Sequence, residues 1–195
     1  MTLEIHGTPR SHFTRIVRIL CHELGLEHRL RDVGNVGEPE LFGGNPLMTV
    51  PVLVDGDRTI WDSREICRYL VESRGRDPLG VERLDWAQRN VVSVIHGVMG
   101  AEVRLILAER CGMAVSGPVF DKSRETIRRG LAWLEAHLVE DAELTYPAVC
   151  AVAMWDHLLL YGKAERREAP RVDRWVARYS DRPSVASTRP PALAG

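Results

Sequence analysis

Three short stretches hold residues whose types and spacing could do chemistry. In "TVPVL" (49–53), Pro51 heads an apolar run. Proline has no N–H, so it fits a strand only at its first residue or at an edge. A cis bond before it would turn Val50 outward and offer the Val50 N–H and C=O to an extended ligand, which would pair as an added strand does. A trans proline at a strand start is the plain alternative. In "WDS" (61–63), Asp62 and Ser63 open a helix. Unpaired N–H groups and the helix dipole favour an anion there. A carboxylate would meet Ser63 and an ammonium would meet Asp62, so the pair suits an amino acid group. An ordinary N-cap is the alternative. The third stretch, "TPRSHFTRIVR" (8–18), places Ser11 at the start of a helix.

These stretches need elements to hold them. "LEIH" (3–6) reads as a strand. "SHFTRIVRILCHELG" has apolar residues at Phe13, Ile16, Val17, Leu20, Cys21 and Leu24, a helical period with Ser11 as N-cap and Gly25 as stop. "EHRLRDV" (27–33) reads as a second strand, so the opening is strand–helix–strand with a right-handed crossover. Residues 34–48 are rich in Gly, Pro and Asn and read as a loop with at most one short helix. "VPVLV" and "RTIW" flank "DGD", a hairpin signal because Asp-Gly supplies positive φ. "DSREICRYLVESRG" is helical, with Ile66, Cys67, Leu70 and Val71 facing inward.

From residue 81 onward no strand is evident. "VERLDWAQRNVVSVIHGVMGAEVRLILAERCG" predicts one long helix or two joined ones, and "GPVFDKSRETIRRGLAWLEAHL" another that opens on Pro118. "TYPAVCAVAMWDHLLLYGK" is apolar nearly throughout, as at the centre of a bundle. "APRVDRWVARYSDRPSV" adds a short helix and a further turn. The change of texture at 76–82 separates an α/β domain (1–76) from an all-helical one (83–195).

The 195 residues, 45% of them apolar, suffice for a packed core. A net charge of −1 with interleaved signs does not suit a nucleic-acid surface. No stretch reaches about 18 uninterrupted apolar residues, and the N-terminus lacks the basic-then-apolar pattern of a signal peptide. A cytoplasmic protein is expected, away from membranes. Cys21, Cys67, Cys111 and Cys150 form no C-x-x-C pair and read as reduced, mostly buried thiols. The seven histidines show no metal-binding spacing, so no metal is expected.

Taken in order, strand–helix–strand, "NPLMTVPVL" (45–53), "DGDRTIWDSREICRYL" (55–70) and an all-helical half resemble the cytosolic glutathione transferases over the whole chain. "DRPSVASTRP" near the C-terminus is similar to the ending of bacterial members. The resemblance implies a thioredoxin-like N-terminal domain, an all-α C-terminal domain and a homodimer. It also implies glutathione as co-substrate, its thiol attacking a small hydrophobic electrophile.

The site residues follow from that resemblance. "TPRSHFTRIVR" is similar to the serine-type pattern S-P-x-S-P-F-x-R-x-V-R, which makes Ser11 the hydroxyl that stabilises the glutathione thiolate, with Thr8 as the fallback. Ser11 as a cap alone stays open. Val50, Pro51, Asp62 and Ser63 match the glutathione contacts. Thr49 stands where a Lys or Gln often meets the glycyl end, and Met48 replaces a glycine. His12 replaces a proline and either faces the second-substrate cleft or is solvated. His96, Met99, Gly100 and Arg104 share a helical face that would line that cleft, or else a dimer or core face. Gly97 and Gly100 would let a ligand or helix come close. Ala148 stands where the family has an Asp that completes a capping box with Thr145. The chemistry beyond thiol transfer, dehalogenation or isomerisation included, is open. A non-catalytic binding or regulatory relative is the alternative.

Overall fold

A computed structural model describes residues 3–34, 38–138 and 143–193. The chain divides into two compact units, Met1–Arg83 with Asp181–Gly195, and Leu84–Ser180. The C-terminal segment, expected within an all-helical domain at 83–195, groups with the first unit instead.

In the first unit, β1 (Leu3–Gly7), α1 (His12–Leu24) and β2 (His28–Asp32) form the strand–helix–strand opening. A 3-10 turn at Pro39–Phe42 interrupts the loop that follows, whose residues 35–37 lie outside the described ones. Next come β3 (Val52–Asp55), β4 (Arg58–Trp61) and α2 (Ser63–Arg74). The strand order is β2-β1-β3-β4. β1 runs parallel to β2, with Ile5 opposite Leu30, and antiparallel to β3, with His6 opposite Val52. Gly56 sits at φ 63 in the β3–β4 turn, as the Asp-Gly signal requires. β2, at the edge, carries Arg29, Arg31 and Asp32 outward, which discourages further pairing.

The segment after 180 is held to α1 by named bonds. α7 (Pro183–Ala186) packs on α1. Arg182 donates to both carboxylate oxygens of Glu23 at 2.8 and 2.6 Å, and the Ser184 hydroxyl donates at 2.5 Å. Buried Arg15 donates from Nη2 to the Val185 carbonyl at 3.3 Å. The terminal Arg-Pro-Ser run is therefore a clamp on the helix that carries Ser11.

The second unit is helical. α3 (Trp86–Arg110) is one continuous helix, opened by a capping box between Asp85 and Gln88. It packs against α4 (Pro118–His137) and α5 (Tyr146–Leu160), and α6 (Pro170–Ala177) packs on α4 and α5. α3 is long and apolar enough to cross a membrane by length and composition, but more than half of that stretch is buried against its neighbours. The close approach of α3 to α4 is made at Gly130, where a Cβ would stand 2.3 Å from Val98 Cγ2. At Gly97 and Gly100 a Cβ would meet nothing within 4 Å, so neither glycine is needed for packing within this chain. α5 is buried along nearly its whole length, as its apolar run predicts. Thr145 caps it, accepting from Ala148 N at 3.4 Å.

Glu102 of α3 and His157 of α5 form a pair at 2.8 Å, at 0% and 6% exposure. No motif or spacing in the sequence marks this pair. Its partners lie 55 positions apart and meet only when α3 packs on α5.

Candidate functional site

The sheet topology explains why the candidate residues of the first unit converge. β1 and β2 are parallel and end at Gly7 and Asp32, while β3 runs the other way and starts at Val52. Val52 pairs with Trp61, the last residue of β4. The turn leading to Ser11, the Val50–Pro51 bond, and Asp62–Ser63 therefore all lie at one end of the sheet.

Ser11 is half-buried and is the N-cap of α1. Its Oγ accepts from Thr14 N at 3.2 Å, which leaves the hydroxyl proton to donate elsewhere. No acidic residue lies in the first turn of α1, so its positive end is not neutralised locally. Thr8 is buried, and its Oγ1 accepts from Ser11 N at 3.1 Å. It shapes the turn that presents Ser11.

The Val50–Pro51 peptide is cis, as proposed from the strand-opening proline. Pro51 is buried, and Val50 lies just before the β3 ladder begins. Exposed Asp62 caps α2, accepting at Oδ1 from Arg64 N (2.9 Å) and Glu65 N (3.4 Å). It does so at φ 69, a left-handed value that costs a non-glycine residue about 1–3 kcal/mol and gathers at functional sites. Ser63 is 2% exposed, and its Oγ has no partner. A buried, unsatisfied hydroxyl costs about 1–3 kcal/mol, so this one suits a ligand acceptor. Asp62 is thus the cap of α2, and the Ser63 hydroxyl is left without a partner.

The loop before Pro51 is organised by Asn45, which sequence reasoning missed. Asn45 is 2% exposed. Its Nδ2 donates to the carbonyl and the hydroxyl of Thr49 at 2.9 and 3.0 Å, and its Oδ1 accepts from Leu47 N at 3.0 Å. A buried Asn next to Pro in a Gly-rich stretch was the available signal. Met48, at φ 51 and exposed, occupies a backbone conformation that glycine takes freely.

His12 is 2% exposed, not solvated. Its Nδ1 accepts from Phe13 N at 3.0 Å, and its ring lies edge-on to Phe13 at 4.6 Å. On α3, Met99 is fully buried, Gly100 is exposed and His96 is half-buried, with Nε2 3.8 Å from Cys150 Sγ. Arg104 donates to the Ser123 hydroxyl of α4 at 3.1 Å. The four do not share one environment, because an apolar stripe buries its central residue and turns its flanks outward.

Residues 10–73 match the family model described as glutathione S-transferase, N-terminal domain. A glutathione S-transferase of Silene vulgaris is 26% identical over 210 residues, covering 96% of this chain and 97% of that protein. The crystal structure of a glutathione transferase family member from Pseudomonas fluorescens, with bound glutathione, superposes with a TM-score of 0.83 at 27% identity. It covers 98% of this chain and 100% of that one. A glutathione S-transferase from Methylobacterium radiotolerans, in complex with glutathione sulfonate, gives the same TM-score at 24% identity, over 100% and 98% of the two chains, and speaks to the fold alone. With a glutathione S-transferase N-terminal domain at residues 10–73 and a likeness to glutathione S-transferases over nearly its whole length, the chain belongs to the cytosolic glutathione S-transferase family.

Proposed function

We propose that the protein is a serine-type glutathione transferase, binding glutathione at the end of the first unit's sheet and using its thiolate on a small hydrophobic electrophile. The observation that carries the reading is the partnerless buried hydroxyl of Ser63, beside the Asp62 carboxylate at the start of α2. That arrangement suits the carboxylate and ammonium of a γ-glutamyl group. Extended pairing at Val50 would then set the cysteinyl sulfur toward Ser11. There a hydroxyl proton and the N-terminus of α1 favour the thiolate over the thiol. The thiolate attacks the electrophilic carbon, and the leaving group departs with its electron pair.

Of the residues expected to meet the electrophile, Gly100 is exposed and His96 half-buried. Met99 and His12 are buried, and Arg104 is bonded to Ser123. A cytoplasmic homodimer acting in detoxification belongs to the same reading.

The test is thiolate absorbance in the ultraviolet as glutathione is titrated into the protein across pH. Wild type should pull the thiol pKa well below the ordinary value of about 8.5. Ser11→Ala should return it most of the way and lower turnover by about 100-fold. Binding with no shift in the wild type would instead identify a non-catalytic glutathione-binding relative.

A further inference from the structure

The direction of the Val50 N–H is set one residue earlier, at the Thr49 carbonyl. The Thr49–Val50 peptide is planar and trans, so the Thr49 C=O and the Val50 N–H point in opposite directions. Pro51 brings no N–H, and Val52 is already in the ladder opposite His6 and Trp61. An extended ligand lying along this strand end therefore has the Val50 N–H to accept from.

Asn45 holds that carbonyl. Its Nδ2 donates to Thr49 O at 2.9 Å and to Thr49 Oγ1 at 3.0 Å, while its Oδ1 accepts from Leu47 N at 3.0 Å. Its backbone is anchored as well: Asn45 N donates to the Phe42 carbonyl at 3.0 Å, and Met48 N donates to the Asn45 carbonyl at 3.0 Å. Phe42 is buried, and a Cβ on the neighbouring Gly43 would stand 3.2 Å from both His6 Nδ1 and Val52 Cγ1. A run of contacts thus leads from β1 and β3 through the 3-10 turn to Asn45, and from its amide to the Thr49–Val50 peptide.

Two features point to orientation and not to loop closure alone. A short amide can donate to a carbonyl and accept from an N–H at once, which an ionised Asp of the same shape cannot do. Met48 lies between the two residues that the Asn45 side chain bonds. It is held at φ 51, which a non-glycine residue keeps only where its surroundings impose it. The loop carries that strain while turning the Thr49 carbonyl onto Asn45.

Resting on the functional reading above, we infer that Asn45 is a positioning residue for the thiol substrate. By holding the Thr49 carbonyl, it aims the Val50 N–H at the cysteinyl carbonyl of the bound peptide. Losing Asn45 then removes one bond from the middle of the ligand and leaves those to its head and its sulfur.

The experiment sets one change in the protein against one change in the ligand. γ-Glutamylcysteinamide and γ-glutamylcysteamine share the head, the amide N–H and the thiol, and only the first has the cysteinyl carbonyl. Their dissociation constants are measured on the wild type, on Asn45→Ala and on Asn45→Asp. The Asp variant keeps the acceptor for Leu47 N and sets a carboxylate oxygen against the Thr49 carbonyl. The wild type should prefer γ-glutamylcysteinamide by about three- to tenfold, the size of one hydrogen bond. In both variants that preference should fall to within about twofold, because γ-glutamylcysteinamide loses affinity and γ-glutamylcysteamine scarcely does. A preference that survives in a folded variant would make Asn45 a structural residue only and overturn the inference. Failure of both variants to fold, or no preference in the wild type, would overturn it too. Each of these results leaves the functional reading standing; failure of the wild type to bind glutathione would overturn that reading, and this inference with it.

Discussion

Gly7 and Thr14 approach so closely that a methyl group on Gly7 would stand 2.4 Å from Thr14 Oγ1 and 2.7 Å from its Cγ2. Thr14 is fully buried, and its N–H is the one that Ser11 Oγ accepts. The end of β1 therefore sets the first turn of α1, and with it the hydroxyl assigned to the thiolate. Gly7→Ala should cost about 1–3 kcal/mol through overpacking and should weaken the thiolate shift of bound glutathione. Adding Thr14→Ala in the same chain should recover most of the stability. Urea unfolding and the thiolate titration, run on both variants, read the two effects separately.

Asp62 has two duties that one substitution separates. Asn caps a helix about as well as Asp, so Asp62→Asn should keep the bonds from Arg64 N and Glu65 N and leave the melting temperature nearly unchanged. It removes the charge offered to a ligand ammonium. Hydrogen bonds to charged groups contribute about 1.5–3 kcal/mol, so glutathione should bind about tenfold more weakly or worse. Calorimetric titration beside a thermal melt checks this, and equal binding would show that Asp62 is a cap and no more.

Glu23 makes the clamp on α1 pH-dependent. Hydrogen bonds from Arg182, then from Ser184, hold its carboxyl below the usual 4.5. A group whose pKa is depressed by folding adds stability that is present above its unfolded pKa and is lost as pH falls through the folded one. The contribution is thus complete at neutral pH and fades below about 4.5. Glu23→Gln should lower the melting temperature at pH 7 and flatten the acid limb, the difference from wild type shrinking as pH falls below about 4.5. His22 and His28, their rings 5.3 Å apart, are both pulled below 6.5, first by burial. They contribute an earlier decline, because the unfolded chain takes up their protons sooner as pH drops.

The four cysteines should separate sharply with a thiol reagent. Cys111, at the end of α3, is exposed, whereas Cys21, Cys67 and Cys150 are buried. Burial pushes the Cys21 thiol up to about 12. One thiol should therefore react within minutes in the native protein and the other three only on unfolding, and Cys111→Ser should abolish the fast phase.

Much of this protein was legible before any tertiary structure, because the signals are local. Period and caps marked α1 and α2, Asp-Gly marked the β3–β4 turn, and the near-unbroken apolar run of α5 marked a central helix. The proline heading β3 and the Asp-Ser helix start were legible too, since each needs a particular backbone whose residue type is written in the chain. What only packing decided is non-local. The burial of His12, the Glu102–His157 pair and the return of residues 181–193 onto α1 depend on neighbours 55 or more positions away, or on which face an element buries. Asn45 lies between these cases. Its sequence context marks a turn, but only the fold buries it and turns its amide onto Thr49, because a side chain's partners are chosen by three-dimensional proximity and not by spacing.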